Sequence, residues 1–424
     1  MEIAIPTRFK LDNAANIYPA SMSKHYSSLY RMSLTMSEDV DKEILQAALE
    51  RVSERIPTFR CTLRGGGFWW YLHRVEKAPE VRPLKPLRRF RFKDQDGLLY
   101  RVSATGKVIS LDVFHALTDG FGAITFLLTL AGEYIRKRYG VETGYNNLVL
   151  DPSENTSISE VEDSFKAVFS GRKGQLEQNV DAYHIKGTIM DGEAVKDCRV
   201  VMDMAAVRKA CVENGCSVTD YLVSLMLWAL QKEHASDPKP GKDVLKVSVP
   251  VNLRPIYKTR TLRNFSSYVN LGMDVADEYL SFSEIIELVS AQKEHDIRLE
   301  NLEPKIAANV ELEEMLLVRC LPLFVKHPVI DIINLLHGDR FCSQTMSNLG
   351  NVNVPEGMKP FISDIDFILG RQRGNSGACS CAGYNGKLVF HLTRKIAEDS
   401  FEQAFLEQLS AQGIPHTVTV SDLA

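Results

Sequence analysis

Apolar positions along the chain switch repeatedly between two periods. Tyr30, Met32, Leu34 and Met36 recur at every second residue, which predicts a half-buried strand. Ile44, Leu45, Ala48, Leu49, Val52 and Ile56 then recur at helical spacing, with Asp41 placed to cap the helix and Pro57 to end it. Thr58–Arg64 and Phe68–His73 read as strands joined by Gly65-Gly66-Gly67 into a hairpin. Arg74–Lys93 is rich in Arg, Lys and Pro and reads as a solvated loop or edge strand; a polyanion-binding rim is the sharper alternative. In Lys107–His115, Ile109, Leu111, Val113 and His115 share one strand face. A helix over Phe121–Tyr139 follows, ending in a basic turn before Gly140. Asn146–Ser170 is polar and acidic with few periodic apolar positions, so it is the candidate crossover between two lobes.

The second half repeats the mixture. A strand near Ala194–Met202 leads to helices at Met204–Asn214 and Thr219–Glu233, the latter capped by Ser217 with Asp220 three residues on. Val247, Val249, Val251 and Leu253 alternate as a strand, and helical patterns cover Phe282–Leu299 and much of Glu311–Leu336. Strands are expected near Phe341–Asn348 and Asp364–Leu369. Asn385-Gly386, flanked by Ala378–Tyr384 and Lys387–Thr393, is the strongest hairpin signal. A helix at Ser400–Leu409 and a strand at His416–Val420 close the chain. The sum is a mixed α/β fold with two halves of similar composition.

Composition narrows the function. The chain has 424 residues, 45% hydrophobic and 25% charged, with a formal net charge of −4, values of an ordinary globular protein. With no basic excess to neutralise phosphates, a nucleic-acid partner is disfavoured. Eight cysteines in this length are too sparse for a disulfide scaffold. The longest apolar stretches, Ile124–Leu130 and Tyr221–Leu230, fall well short of the roughly 18 residues of a membrane span. Glu2, Arg8, Lys10 and Asp12 leave no apolar run for a signal peptide. A reducing cytoplasmic setting with free thiols is therefore expected. Cys379-Ser380-Cys381 lacks a second ligand pair at metal spacing and reads as strand packing, so no metal site is expected.

The candidate chemistry lies in Phe114-His115-Ala116-Leu117-Thr118-Asp119-Gly120. A histidine ends a strand, an aspartate follows four residues later, then a glycine and a helix. An imidazole at a strand end can be partly dry and still meet a substrate, and its ordinary pKa suits it to take a proton near neutrality. Asp119 can pin the turn by pairing with a distant cation, and Gly120 would allow the sharp entry into the helix. No other histidine has comparable company. His25, His184, His234, His295 and His416 read as surface residues, and His73 and His391 as strand residues without an acid partner. His327 and His337 lack an acidic cluster. A nucleophile elbow, dinucleotide and phosphate loops and a zinc-protease helix motif are all absent.

The segment His115 to Gly120 resembles the His-x-x-x-Asp-Gly signature of a superfamily. It holds chloramphenicol acetyltransferase, peptide-synthetase condensation domains, plant acyl-CoA-dependent acyltransferases and alcohol acetyltransferases. Val249-Pro250-Val251-Asn252-Leu253-Arg254 resembles the strand whose Arg pairs with the motif Asp. Leu262-Arg263-Asn264-Phe265 resembles the downstream turn, and Ser347-Asn348-Leu349-Gly350 the late strand that lines the active-site tunnel. The matches keep the family's order, and the bacterial alcohol acetyltransferase-like group is the most similar, from its start near Leu11–Pro19 to its end near Asn385–Arg394.

The resemblance implies two chloramphenicol acetyltransferase-like α/β sandwiches, residues 1–165 with the motif and residues 166–424, with an active-site tunnel between them. It implies acyl transfer from acyl-CoA or an acyl carrier protein to a hydroxyl or amine acceptor, with His115 as general base and no acyl-enzyme. No permanently bound cofactor is implied. Asp119 would pair with Arg254, and Ser347 or Asn348 would supply an oxyanion donor. Among basic residues for the CoA phosphates, the segment Arg82–Lys93 competes with Arg371, Arg373 and Lys395. Three departures stand out. Phe114 replaces the first of two histidines common in relatives. Asp366-Phe367-Ile368-Leu369-Gly370 is only a distant form of the plant Asp-Phe-Gly-Trp-Gly motif. No carrier or adenylation domain accompanies the chain. The alternatives are a non-catalytic condensation-like scaffold or a thioester hydrolase.

Overall fold

Three sheets organise the chain. The computed structural model describes all residues except 1–4, 24–25, 88–90, 176–179, 192–194, 316–318, 338 and 424, and the side chains of 331–339 are also outside the description. The readings of His25, Arg88 and Arg89, and of the His337 side chain, fall outside these limits.

The first sheet has the order β12 (Ile362–Leu369), β2 (Leu29–Met36), β7 (Val108–Phe114), β6 (Tyr100–Thr105), β5 (Val81–Arg82). The alternating Tyr30, Met32, Leu34 and Met36 form its apolar face. They pack in one core with helix α2 (Lys42–Arg55) and helix α3 (Gly120–Tyr139). The alternation led to the expectation of one wet face, but Arg31 and Ser33 on the other are buried too. Cross-strand pairing satisfies them. Arg31, Asp112 and Arg101 lie in register on β2, β7 and β6, and Asp112 takes hydrogen bonds from both arginines.

The second sheet has the order β10 (Ser266–Asp274), β9 (Val244–Asn252), β11 (Gln344–Asn351), β13 (Gly377–Tyr384), β14 (Lys387–Arg394), β8 (Lys196–Asp203), β15 (His416–Asp422). The β13–β14 hairpin turns at Asn385 and Gly386, both at positive φ, as a tight two-residue hairpin needs. The helices Val218–Ser236, Phe282–Asp296 and Ser400–Ala411 pack on this sheet in a second core. A small third sheet, β1 (Arg8–Lys10), β4 (Trp70–Arg74), β3 (Cys61–Gly65), holds the glycine-turn hairpin. Among the described residues no helix is long and apolar enough to cross a membrane.

Several local expectations shift. Pro57–Arg60 forms a 3₁₀ turn, so the strand starts only at Cys61. The helix expected over Phe282–Leu299 ends at Asp296, and after Arg298, whose backbone is extended, a separate helix spans Leu299–Glu314, most of it outside the expected stretches. Another helix spans Leu323–His337. Apolar spacing persists across such breaks, so periodicity alone does not reveal them. The Asn146–Ser170 crossover is not merely a solvated linker. It carries short helices at Ile158–Val161 and Ser164–Phe169, and Glu160 is buried in a fork with Arg55 at 2.6 and 2.8 Å.

The strand β12 comes from the last quarter of the chain yet pairs antiparallel with β2 of the first sheet. This is the Asp366–Gly370 region. Its backbone is held by the second sheet: Ser380 Oγ donates to Phe367 O at 2.6 Å, and Tyr384 OH to Ile362 O at 3.1 Å. Arg199 of β8 reaches Asp366 at 2.6 Å and Asp364 at 2.7 Å. His391, expected to lack an acid partner, lies buried between two: Nδ1 is 2.9 Å from Asp197 and Nε2 is 3.1 Å from Asp366. His234, expected at the surface, is buried as well, between Tyr279 OH and Asp243. The His391 partners are brought by tertiary register, which local sequence does not display, whereas Asp243 reaches His234 across a nearby turn and Tyr279 comes from farther along the chain.

Burial opposes the charge on His391, but the Asp197 and Asp366 carboxylates outweigh it and hold the pKa up to about 9. The folded state thus keeps a proton that the unfolded chain releases near pH 6.5. The stabilisation is complete below that pH and is lost as pH rises through about 9. Thermal unfolding followed between pH 6 and 10 should show the melting temperature falling over this window. His391→Gln should be less stable at pH 6 and should lose most of that slope. An unchanged slope in the variant would remove His391 as its source.

Candidate active site

His115 stands one residue past β7. Its backbone N–H still bonds to Ser28 O at 2.9 Å, which extends the β2–β7 ladder, and the turn closes through Leu117 N–H to Phe114 O at 2.9 Å. The imidazole is half-buried. The Tyr18 ring, from helix α1 (Ile17–Ser21), stacks on it at 4.5 Å, and Tyr30 meets it edge-on at 5.1 Å. Its Nδ1 lies 3.1 Å from Asn264 Oδ1. Burial pulls its pKa below the ordinary value, against smaller opposing effects from its own backbone carbonyl, Asp119 and Asn264. The ring is therefore neutral at pH 7 and able to accept a proton.

Four residues on, Asp119 caps α3 by accepting Gly122 N–H at 3.2 Å. The same carboxylate receives both Nη atoms of Arg254, at 2.9 and 3.0 Å, and the Phe265 N–H at 2.9 Å. Both side chains are almost wholly buried. Arg254 does not end the strand as expected; it opens a short helical turn after β9. Its Nε donates to Thr261 O at 2.7 Å, another N–H goes to Arg263 O, and the Phe121 ring lies over its guanidinium at 4.6 Å. Each charge is thus paired and each remaining donor used, as a buried ion pair requires.

Gly120 plays a different part from the one expected. It is absent from the residues at positive φ, so no special backbone conformation demands it. Its constraint is space: a Cβ there would stand 3.1 Å from Leu349 Cδ2. Gly122 is the stricter position, because a Cβ would overlap Thr118 Oγ1 and Leu262 O. Thr118 Oγ1 donates to Leu262 O at 2.5 Å, and Tyr30 OH donates to the carbonyls of Thr118 and Asp119 at 2.9 and 3.1 Å. The motif turn is therefore pressed directly on the 261–265 loop.

The Leu349 contact also brings the end of β11 against this turn. On β11, Ser347 and Asn348 pair in parallel with Ser380 and Cys381 of β13. The Asn348 amide is engaged at both ends: Nδ2 donates to Thr219 Oγ1 at 3.1 Å and Oδ1 accepts Gly350 N–H at 2.7 Å. Ser347, half-buried, makes no side-chain hydrogen bond within the described residues. Among the basic candidates, Arg82 is engaged by Asp94 O and Asp96, and Lys395 by the carbonyls of Gln372 and Arg373. Cys379 and Cys381 are buried in β13. The site residues that sequence reasoning missed are Tyr18, Tyr30 and Gly122, and Asn264 was noticed only as part of a turn. Spacing signals none of the four roles.

Removing one partner of the Asp119–Arg254 fork strands a buried charge, a loss of about 3–5 kcal/mol. Arg254→Ala should therefore unfold at markedly lower denaturant in an equilibrium titration, and Arg254→Lys should recover only part of the loss, having no fork. Stability of Arg254→Ala within about 0.5 kcal/mol of wild type would contradict this account of the pair.

No family model matches the chain. An uncharacterized protein of Mycobacterium tuberculosis is 24% identical over 373 residues, 84% of this chain and 79% of that protein. Similar solved structures include polyketide synthase associated protein 5 from the same organism, with a TM-score of 0.65 and 15% identity, covering 96% of this chain and 98% of that one. TRI101 of F. sporotrichioides complexed with coenzyme A and T-2 gives a TM-score of 0.62 at 10% identity, covering 99% and 100%. The condensation domain from the monacolin K polyketide synthase MokA gives 0.59 at 9% identity, covering 97% of each chain. The chain thus has the two-lobed α/β fold shared by condensation domains and chloramphenicol acetyltransferase-like acyltransferases.

Proposed function

We propose that the protein is an acyltransferase that moves an acyl group from a thioester to a hydroxyl or amine acceptor, with His115 as general base. The observation that carries this reading is a half-buried imidazole held at a strand end beside the buried Asp119–Arg254 fork. A scaffold has no need of such a base. Coenzyme A in the TRI101 complex supports a CoA thioester as donor; an acyl carrier protein offers the same bond.

In this mechanism His115 Nε2 takes the acceptor proton as the acceptor oxygen or nitrogen attacks the thioester carbonyl. A tetrahedral oxyanion forms. The Ser347 hydroxyl, or the second N–H of the Asn348 amide whose first goes to Thr219, would donate to it. The intermediate collapses by breaking the carbon–sulfur bond, and the imidazolium returns its proton to the departing thiolate. Free thiol and acylated acceptor result, with no acyl-enzyme. Asp119 and Arg254 position the His115 turn and carry no proton. On this reading residues 1–165 and 166–424 are the two lobes, with β12 lent from the second to the first, and donor and acceptor approach through a tunnel between them.

The test is a free-thiol assay with a panel of acyl-CoAs against pooled alcohols and amines. Thiol release should require an acceptor, and His115→Ala should lower it by about 10²–10⁴-fold. Because burial lowers the His115 pKa, kcat/KM should rise with pH through a midpoint below about 6.5. Wild-type release without an acceptor would make the protein a thioester hydrolase. Near-wild-type turnover by His115→Ala, or a midpoint above pH 7, would overturn the role of His115.

A further inference from the structure

The hydrogen-bond partner of His115 Nδ1 is a side-chain amide, not a carboxylate. Nδ1 faces Asn264 Oδ1, and the far side of the Asn264 amide faces Asp12. Asn264 Nδ2 donates to Asp12 Oδ2 at 3.2 Å, and the three residues lie on separate segments of the chain. Asp12 and Asn264 are buried to 0% and 1% exposure. Asp12 follows β1, and its Oδ1 accepts Ala15 N–H at 2.8 Å, so the carboxylate is fixed by the start of its own turn. Arg263 Nη2 lies 3.5 Å from Oδ2. Asn264 is fixed from both sides along the chain, by Arg263 O on Arg254 and Phe265 N–H on Asp119.

This arrangement determines which way each group points. An ionised carboxylate only accepts hydrogen bonds, so it selects the NH₂ end of the Asn264 amide. The oxygen end is then left toward His115, and an oxygen there requires a proton on Nδ1. A neutral imidazole holding its proton on Nδ1 has its lone pair on Nε2. Burial pushes the Asp12 carboxyl up to about 6, but Ala15 N–H, Asn264 Nδ2 and the Arg263 guanidinium all turn donors or positive charge toward it, which favours the ionised form.

We propose that Asp12 and Asn264 form a two-step positioning relay that fixes His115 as the Nδ1–H tautomer and so presents a basic Nε2. Neither residue touches a substrate or moves a proton; both act through His115. The inference deepens the proposed acyl transfer and rests on His115 being its base. It also gives the N-terminal segment a task. Tyr18, six residues after Asp12, stacks on the ring whose tautomer Asp12 sets. The ring's own backbone carbonyl is a second acceptor near the imidazole, so loss of the relay weakens the tautomer preference rather than abolishing it.

The tautomer is read directly by ¹⁵N–¹H correlation spectra of ¹⁵N-histidine-labelled full-length protein, with His115→Gln to assign the signals. Wild type at pH 7.5 should show a protonated Nδ1 and an unprotonated Nε2. Asn264→Ala should raise the Nε2–H population to a comparable share and lower kcat/KM by roughly tenfold to a hundredfold. Asp12→Ala should do the same. The double variant should be no worse than Asn264→Ala alone, because the two residues act in series. If Asp12→Ala fails to fold with Arg263 unpaired, the wild-type and Asn264→Ala spectra decide. A wild-type Nε2–H tautomer overturns the relay, as do unchanged spectra in Asn264→Ala or additive losses. The spectra need no substrate, so an inactive wild type would sink the acyl-transfer reading while leaving the tautomer assignment to stand or fall separately.

Discussion

The site is organised around one buried charge pair, the fork between Asp119 and Arg254. Two ions taken out of water lose several kcal/mol of hydration each. They persist only where every donor and lone pair is engaged, and here nearly every neighbour serves that end. Gly122 N–H and Phe265 N–H complete Asp119, and the carbonyls of Thr261 and Arg263 complete Arg254. The consequence is geometric. The pair fastens the His-bearing turn of one half of the chain to the 261–265 loop of the other, and that loop carries Asn264 to the imidazole. A requirement of electrostatic satisfaction thereby becomes a requirement on where His115 is placed.

The two halves are joined a second time, through β12. The strand β12 leaves the second half to edge the first sheet, and its Asp364 and Asp366 meet Arg199 and His391 of the second sheet. The two junctions differ in kind. Asp119 and Arg254 are sealed, whereas Arg199 and its acids are part-exposed and depend on a histidine that can lose its charge at high pH. Loss of the His391 charge would weaken the second junction, while the β12–β2 ladder and the Ser380 and Tyr384 hydrogen bonds remain.

Local signals in the sequence carried much of the fold. The alternation in β2, the Asp41 and Pro57 limits around α2, the Ser217 cap and the Asn385-Gly386 turn are each written within a few residues, and each has a direct structural counterpart. The residues alone asked only for some distant cation to pair with Asp119; the family resemblance singled out Arg254, and the two meet in the structure. What was illegible depends on register between distant segments. His391 meets Asp197 across 194 residues, and the polar neighbours of His234 conceal its burial. The importance of Gly122 over Gly120 follows from where Leu262 O passes, which no spacing rule encodes. Asp12 and Asn264 are ordinary polar residues until the fold places them in line with His115.

The central claim is that the acyl group passes directly from thioester to acceptor, without an acyl-enzyme, under a neutral His115 base. The most direct measurement is intact-protein mass spectrometry of a single turnover, with enzyme in excess over an active acyl-CoA, sampled before and after acceptor is added. The account predicts an unmodified protein mass throughout, with the acyl group appearing on the acceptor as the thiol is released. An acyl adduct on the protein that forms without acceptor and decays when acceptor is added would contradict it.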